Sequence, residues 1–130
     1  MHIPVTVTLT ALCGLLMVLL SINISRLRVK HQVSLGDGGV NPLLRAVRLH
    51  ANTAEHVPIY LLLSLVYELS IGSDTLLLVT GAAFFAGRLV FSWGLLTKIF
   101  TKQRQLGALL TYLTQLVLAI ALLWHVALTA

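Results

Sequence analysis

Apolar residues in this chain come in long unbroken runs rather than in alternation. Residues 5–25 and 106–130 carry no charged side chain, and residues 75–96 carry one, Arg88. Each run reaches the length of about 20 residues that a helix needs to cross hydrocarbon. A fourth stretch, residues 46–69, is apolar only in its second half, IYLLLSLVY. Its first half, RLHANTAEHVP (48–58), holds an Arg, an Asn, a Glu and two His. The pattern predicts four helices, roughly 4–31, 42–70, 74–100 and 104–129, in a single domain over residues 1–130. Turn signals separate them. GDGGVNP (36–42) supplies glycines for positive φ and an Asn-Pro pair to open a helix. SIGSD (70–74) reads as a tight hairpin with Ser73 or Asp74 as N-cap. KIFTKQRQLG (98–107) is basic and is expected to prolong the third helix into the cytosol. Connections this short imply an up-down-up-down, antiparallel four-helix bundle.

Composition turns that bundle into an all-α integral membrane protein. The chain is 58% hydrophobic and 10% charged, against about 25% charged in an ordinary soluble domain. The first run reads as a retained helix, because MHIPVT lacks Lys and Arg and no small-x-small site follows. Of the nine Lys and Arg residues, all but Arg88 flank the first or third connection, whereas the second, ELSIGSD, carries Glu68 and Asp74. The positive-inside rule then places the basic connections in the cytoplasm and both termini on the other side. Such a rim also meets anionic lipid of the bilayer. Charge alone is no argument for nucleic acid, and none is expected. The lone Cys13 reads as packing. His50 and His56 stand about 240° apart around a helix and no CxxC or HExxH occurs, so no metal is expected. Ala83 and Gly87 form a small-xxx-small pair that permits close helix approach.

The polar half of the second helix is ordered. At about 100° per residue, Arg48, Asn52, Glu55 and Ile59 share an arc of about 60°, and Arg45 and His56 widen it to about 100°. Glu55 lies roughly 15 Å in from Arg45, at a depth matching Arg88 on the antiparallel third helix. Ionisable groups at that depth cost a few kcal/mol each unless paired or facing a polar cavity. A Glu55–Arg88 pair stapling the two helices is the plainest arrangement. It leaves Arg48, Asn52 and His56 without a purpose, whereas a wet pocket open to the cytoplasm uses them all. Pro58 frees the carbonyl of Ala54, which such a pocket can hydrate. Arg26, Arg28, Arg48, Lys102 and Arg104 converge on its mouth and suit a carboxylate, since Arg forks bind carboxylates bidentately. Glu55 suits an ammonium group, and Asn52 both donates and accepts. Glutathione has that set of groups.

The motif R-x-x-x-N-x-x-E-x-x-P, here Arg48, Asn52, Glu55 and Pro58, resembles the second-helix signature of the MAPEG family, membrane-associated proteins in eicosanoid and glutathione metabolism. AGRL (86–89), the basic hinge before the fourth helix and RLRVKHQVSLGDGG (26–39) are also similar, the last to the bacterial, microsomal glutathione transferase-like branch. The resemblance spans essentially the whole chain. It implies a homotrimer binding glutathione between subunits near the cytoplasm, and glutathione transfer or peroxide reduction on hydrophobic small molecules, a detoxification chemistry. It implies Arg48, Asn52 and Glu55 as glutathione ligands, joined by His56, by His50 across an interface, by Arg26 or Arg28, and by Arg88. The thiolate-stabilising base before the fourth helix matches Arg104, with Lys102 as its rival. Phe91 and Leu95 stand where eicosanoid-type relatives carry Tyr.

A cation beside the sulfur favours the thiolate, and Arg cannot accept the proton, which therefore passes to water or another group. An apolar electrophile would arrive from the lipid along Phe91, Trp93 and Leu95, although Trp93 and Trp124 also fit an interfacial belt. Two other function classes compete. A small proton-coupled exporter would use Glu55 as its deep carboxylate, but the charge bias is too strong for dual topology. A noncatalytic membrane protein of the same fold would have lost its chemistry along with the two Tyr hydroxyls.

Overall fold

The computed structural model describes residues 2–98 and 101–129. It is all-helical: α1 Pro4–His31, α2 Asn41–Ser70, α3 Thr75–Thr97 and α4 Lys102–Thr129. Three of these, α1, α3 and α4, are long and apolar enough to cross a membrane; α2 fails that criterion because of its polar first half. The α1 run ends as Gln32 turns left-handed at φ 54° and the backbone N–H of Val33 closes on the Arg28 carbonyl. Gly36, Gly38 and Gly39 then take φ of 69°, 57° and 73°, values that a side chain resists. Pro42 follows in the first turn of α2, where its missing N–H has no intrahelical duty. Of the two candidate caps for α3, Asp74 serves, accepting from the backbone N–H of Leu77 at 2.9 Å. Ser73 donates instead to Glu68 at 2.6 Å.

The third connection differs from its expectation. The third helix stops at Thr97 and Lys98 is extended, with φ −148° and ψ 159°. α4 begins afresh at Lys102, where the Thr101 hydroxyl accepts from the backbone N–H of Arg104 at 3.2 Å. The start of α4 packs closely on the end of α3. A Cβ on Gly94 would stand 2.5 Å from the Arg104 backbone nitrogen and 2.7 Å from Thr101 Oγ1, so the chain turns directly against the end of α3. Part of the predicted extension falls on residues 99 and 100, which lie outside the described residues.

Cross-helix contacts give the topology. The first turn of α1 meets the last turn of α2 through Val5, Thr6 and Glu68. Arg88 in the middle of α3 reaches Asn52 and Thr53 in the middle of α2. Gly87 and Gly94 of α3 lie against Gly107 and Arg104 of α4. Consecutive helices are therefore antiparallel. α2 touches all three others, and among the described residues α1 and α4 do not meet. The core is a layered stack: Leu9 and Cys13 from α1, Tyr60 and Tyr67 from α2, Leu77 and Phe84 from α3 and Leu118 from α4. Tyr60 and Phe84 stack at 3.9 Å between ring centroids. Gly87, half of the small-residue pair, packs within the bundle against Leu110 and Gly107. Leu15, Leu19, Leu62, Leu123 and Leu128 are among the many large apolar side chains left on the outside, a surface that suits acyl chains and not water.

Candidate anion cleft at the basic end

The centre of the site is a buried cation. Arg88 is 0% exposed, and its guanidinium lies over the Phe91 ring at 4.7 Å. Nη1 and Nη2 both donate to Asn52 Oδ1, at 3.0 and 3.1 Å. Nη2 also donates to Thr53 Oγ1 at 2.7 Å, and Nη1 to Thr111 Oγ1 at 3.5 Å. The two threonines can only accept here. Thr53 spends its own proton on the Leu49 carbonyl and Thr111 on the Gly107 carbonyl, at 2.9 and 2.8 Å, the backward bond that a helical Thr makes one turn up. Among the described residues, Nε of Arg88 is buried without a partner. Among the described residues no carboxylate comes within ion-pair distance of this guanidinium, so the Glu55–Arg88 staple, the plainer of the two arrangements the sequence allows, does not form. Asn52 stands beside Arg88 where that staple would have put Glu55. At 40° around from Arg48 (about 100° per residue) it lies on the inward edge of the stripe, while Glu55 lies on the outward edge.

Above Arg88 a cleft opens between α2 and the α3–α4 pair. It has two lobes, of about 180 Å³ and 270 Å³, which share Asn52, Phe91 and Arg104. Leu44, Arg45, Arg48 and Leu95 complete the first; Thr101, Gln105, Ala108 and Tyr112 complete the second. Among the described residues, three guanidiniums and no carboxylate line it. Arg45 Nη1 donates to the Thr97 carbonyl at 3.3 Å, while its buried Nε has no partner among the described residues. Positive charge held against low-dielectric walls concentrates anions, and three Arg forks match carboxylate geometry.

The sequence-derived residues divide accordingly. Arg48, Asn52 and Arg104 come together in the cleft, with Phe91 and Leu95 as its inner wall rather than as a lipid-side opening. Lys102 is exposed at the first turn of α4 and does not line either lobe. Trp93 is 65% exposed on the outside of α3, in keeping with a belt position. His56 sits beside the cleft, its Nδ1 3.2 Å from Gln115 Oε1 and its ring 5.4 Å from Tyr112. In the same turn Gln115 Nε2 donates to the His56 carbonyl at 3.0 Å, and α2 runs on through Pro58. His50 faces α1, 3.0 Å from Ser21 Oγ. Arg26 bonds Asn23 and Arg28 bonds the Val33 carbonyl, both at the end of α1 and away from the cleft. Glu55 is exposed on an outward face of α2 that continues through Ile59, Leu62 and Val66, 55%, 62% and 42% exposed. Among the described residues no three His, Cys, Asp or Glu side chains cluster as a metal site.

Sequence reasoning missed Arg45 as a lining residue, together with Thr101, Gln105 and Tyr112. The signal for Tyr112 was present: Arg104, Ala108, Tyr112 and Gln115 repeat at four, four and three residues and share one face of α4.

Residues 6–124 match the MAPEG family model. The chain belongs to the MAPEG family. Two relatives bearing the name Inner membrane protein YecN, from the K12 and O6:H1 strains of Escherichia coli, are each 32% identical over 114 residues, 88% of this chain and 86% of theirs. The match begins in the first turn of α1 and ends near the close of α4, so every residue lining the cleft lies within the MAPEG region. This MAPEG protein is an integral membrane protein, and its relatives are named for the inner membrane.

Proposed function

We propose that this protein binds glutathione at the basic end and activates its thiol toward hydrophobic electrophiles or peroxides from the bilayer. The observation that carries this reading is the convergence of Arg45, Arg48, Asn52 and Arg104 on one cleft floored by Phe91. The cations receive the carboxylates, and Arg104, which lines both lobes, stands beside the sulfur and favours its thiolate. In transfer, the sulfur pair forms a C–S bond as the leaving group departs with its own pair. In peroxide reduction, the thiolate attacks the terminal oxygen of the hydroperoxide, O–O breaks, and the alkoxide leaves with the electron pair and takes a proton to become the alcohol. The resulting sulfenic acid condenses with the thiol of a second glutathione to give disulfide and water.

Glu55 belongs to a larger assembly. About 21 Å into a helix of about 45 Å, on an outward face, a carboxylate against acyl chains is expensive. A second copy seated on the α2 face removes it from lipid and completes the site with an acidic group for the glutathione amine. The assembly proposed is a homotrimer, with the basic rim in the cytoplasm and both termini on the opposite side.

Calorimetric titration of glutathione into detergent-solubilised protein tests the reading. Binding is expected in the micromolar-to-millimolar range, weakened at least tenfold, about 1.4 kcal/mol, by Arg48→Ala and by Glu55→Gln. Undiminished affinity in both variants rejects the site. The ultraviolet thiolate band of bound glutathione, lost in Arg104→Ala, separates an enzyme from a passive binder.

A further inference from the structure

We infer that Arg88 acts on the cleft through Asn52, as a positioning residue that fixes which end of the Asn52 amide a ligand meets. An arginine side chain has five N–H donors and no acceptor. The atom of Asn52 that faces both Nη1 and Nη2 at 3.0 and 3.1 Å must therefore be the carbonyl oxygen, whichever way an isolated amide would prefer to turn. With Oδ1 held on the buried side, the Nδ2 amine of the same planar group projects into the cleft that Asn52 lines on both lobes. Asparagine, able in principle to donate or accept, becomes a donor only.

The surroundings make the arrangement one-way. Thr53 and Thr111 have committed their protons to the Leu49 and Gly107 carbonyls, so toward Arg88 they act as acceptors, and Asn52 Oδ1 completes the set of oxygens around the guanidinium. A reversed amide would set its own N–H groups against the guanidinium, donor against donor with a full positive charge, in a site excluded from water. The contact at Asn52 is thereby restricted to an acceptor on the ligand, a carboxylate or peptide carbonyl oxygen, and it rejects an ammonium or amide N–H there. This deepens the glutathione reading and rests on it for the identity of the ligand, but not for the orientation of the amide.

Asn52→Asp separates this role from a merely structural one. Aspartate keeps the shape and gives Arg88 a charged partner, so heat unfolding in detergent should occur at or above the wild-type temperature. It also replaces the donor with an acceptor, so glutathione affinity should fall at least tenfold. Arg88→Leu should lower affinity similarly, and Arg88→Lys, which restores a donor to Oδ1, should recover most of it. Binding by Asn52→Asp within twofold of wild type overturns the proposal. A second readout needs no ligand. The Asn52 side-chain NH₂ pair, assigned by NMR through its loss in Asn52→Asp, should exchange rapidly with water in the unliganded protein. An NH₂ pair protected from water overturns the orientation. Failure of the wild type to bind glutathione defeats the proposed function alone, and the exchange measurement then decides the orientation by itself.

Discussion

Glu68 shows how much one side chain can do at the end opposite the basic rim. Its two carboxylate oxygens accept from the backbone N–H groups of Val5 and Thr6 at 3.0 and 2.8 Å, while the Ser73 hydroxyl donates to it at 2.6 Å. α1 has no side-chain cap of its own, because Ile3 stands at its N-cap, and Glu68 performs that function from another helix. Two orphan donors and a positive helix end are satisfied together. Glu68→Ala is expected to cost about 1–2 kcal/mol, the magnitude of a lost cap, read as a lower melting temperature in detergent; an unchanged midpoint would refute the capping role. The sequence displayed Glu68 only as an acidic loop-flanking residue. Capping across helices leaves no local spacing to read, and the same holds for Arg88, whose acceptors come from α2 and α4. The polar stripe of α2 was legible because it obeys one helical period. Which of its members turned inward was not, since a rotation of about 60° separates Asn52 from Glu55.

Among the elements, α3 and α4 form the tightest seam, and three glycines, Gly87, Gly94 and Gly107, make it. A Cβ on Gly107 would stand 2.5 Å from both the Gly87 carbonyl oxygen and the Phe91 nitrogen, backbone atoms that cannot turn aside. Gly107→Ala should therefore destabilise by about 1–3 kcal/mol through overpacking. It should also loosen the cleft, because Phe91 and Arg104 lie on the two helices being forced apart. Gly14→Ala is the matched control: nothing lies within 4 Å of its Cβ, and its melting temperature should not fall. Equal behaviour of the two variants would dismiss the seam as the determinant. Helix existence was legible from the apolar runs and the turns from their glycines. The break at Lys98 was not, because no Pro or Gly marks it in the sequence and the contact beside it, Gly94 against Thr101 and Arg104, joins two different helices.

For the molecule as a whole, the outward face of α2 sets the terms. Its polar half carries Glu55, a carboxylate poorly suited to lipid, and its other half Ile59, Leu62 and Val66, which acyl chains or a neighbouring protein can equally cover. Native mass spectrometry from mild detergent should give three chains, and Leu62→Cys should cross-link chain to chain under oxidation; a monomer in both measurements removes the assembly. A thiol reagent confined to the cytoplasm should reach Ser34→Cys, whereas one confined to the far side should not. The α1–α2 contact at Glu68 also governs the order of construction. The acid sits at the last turn of its helix and its donors are the first amides of the preceding one, so the pair can close as a hairpin before anything downstream has been made. A nascent chain released just after Ser73 should thus hold its first two segments together, and biogenesis should proceed by adding the glycine-sutured second pair to a finished first.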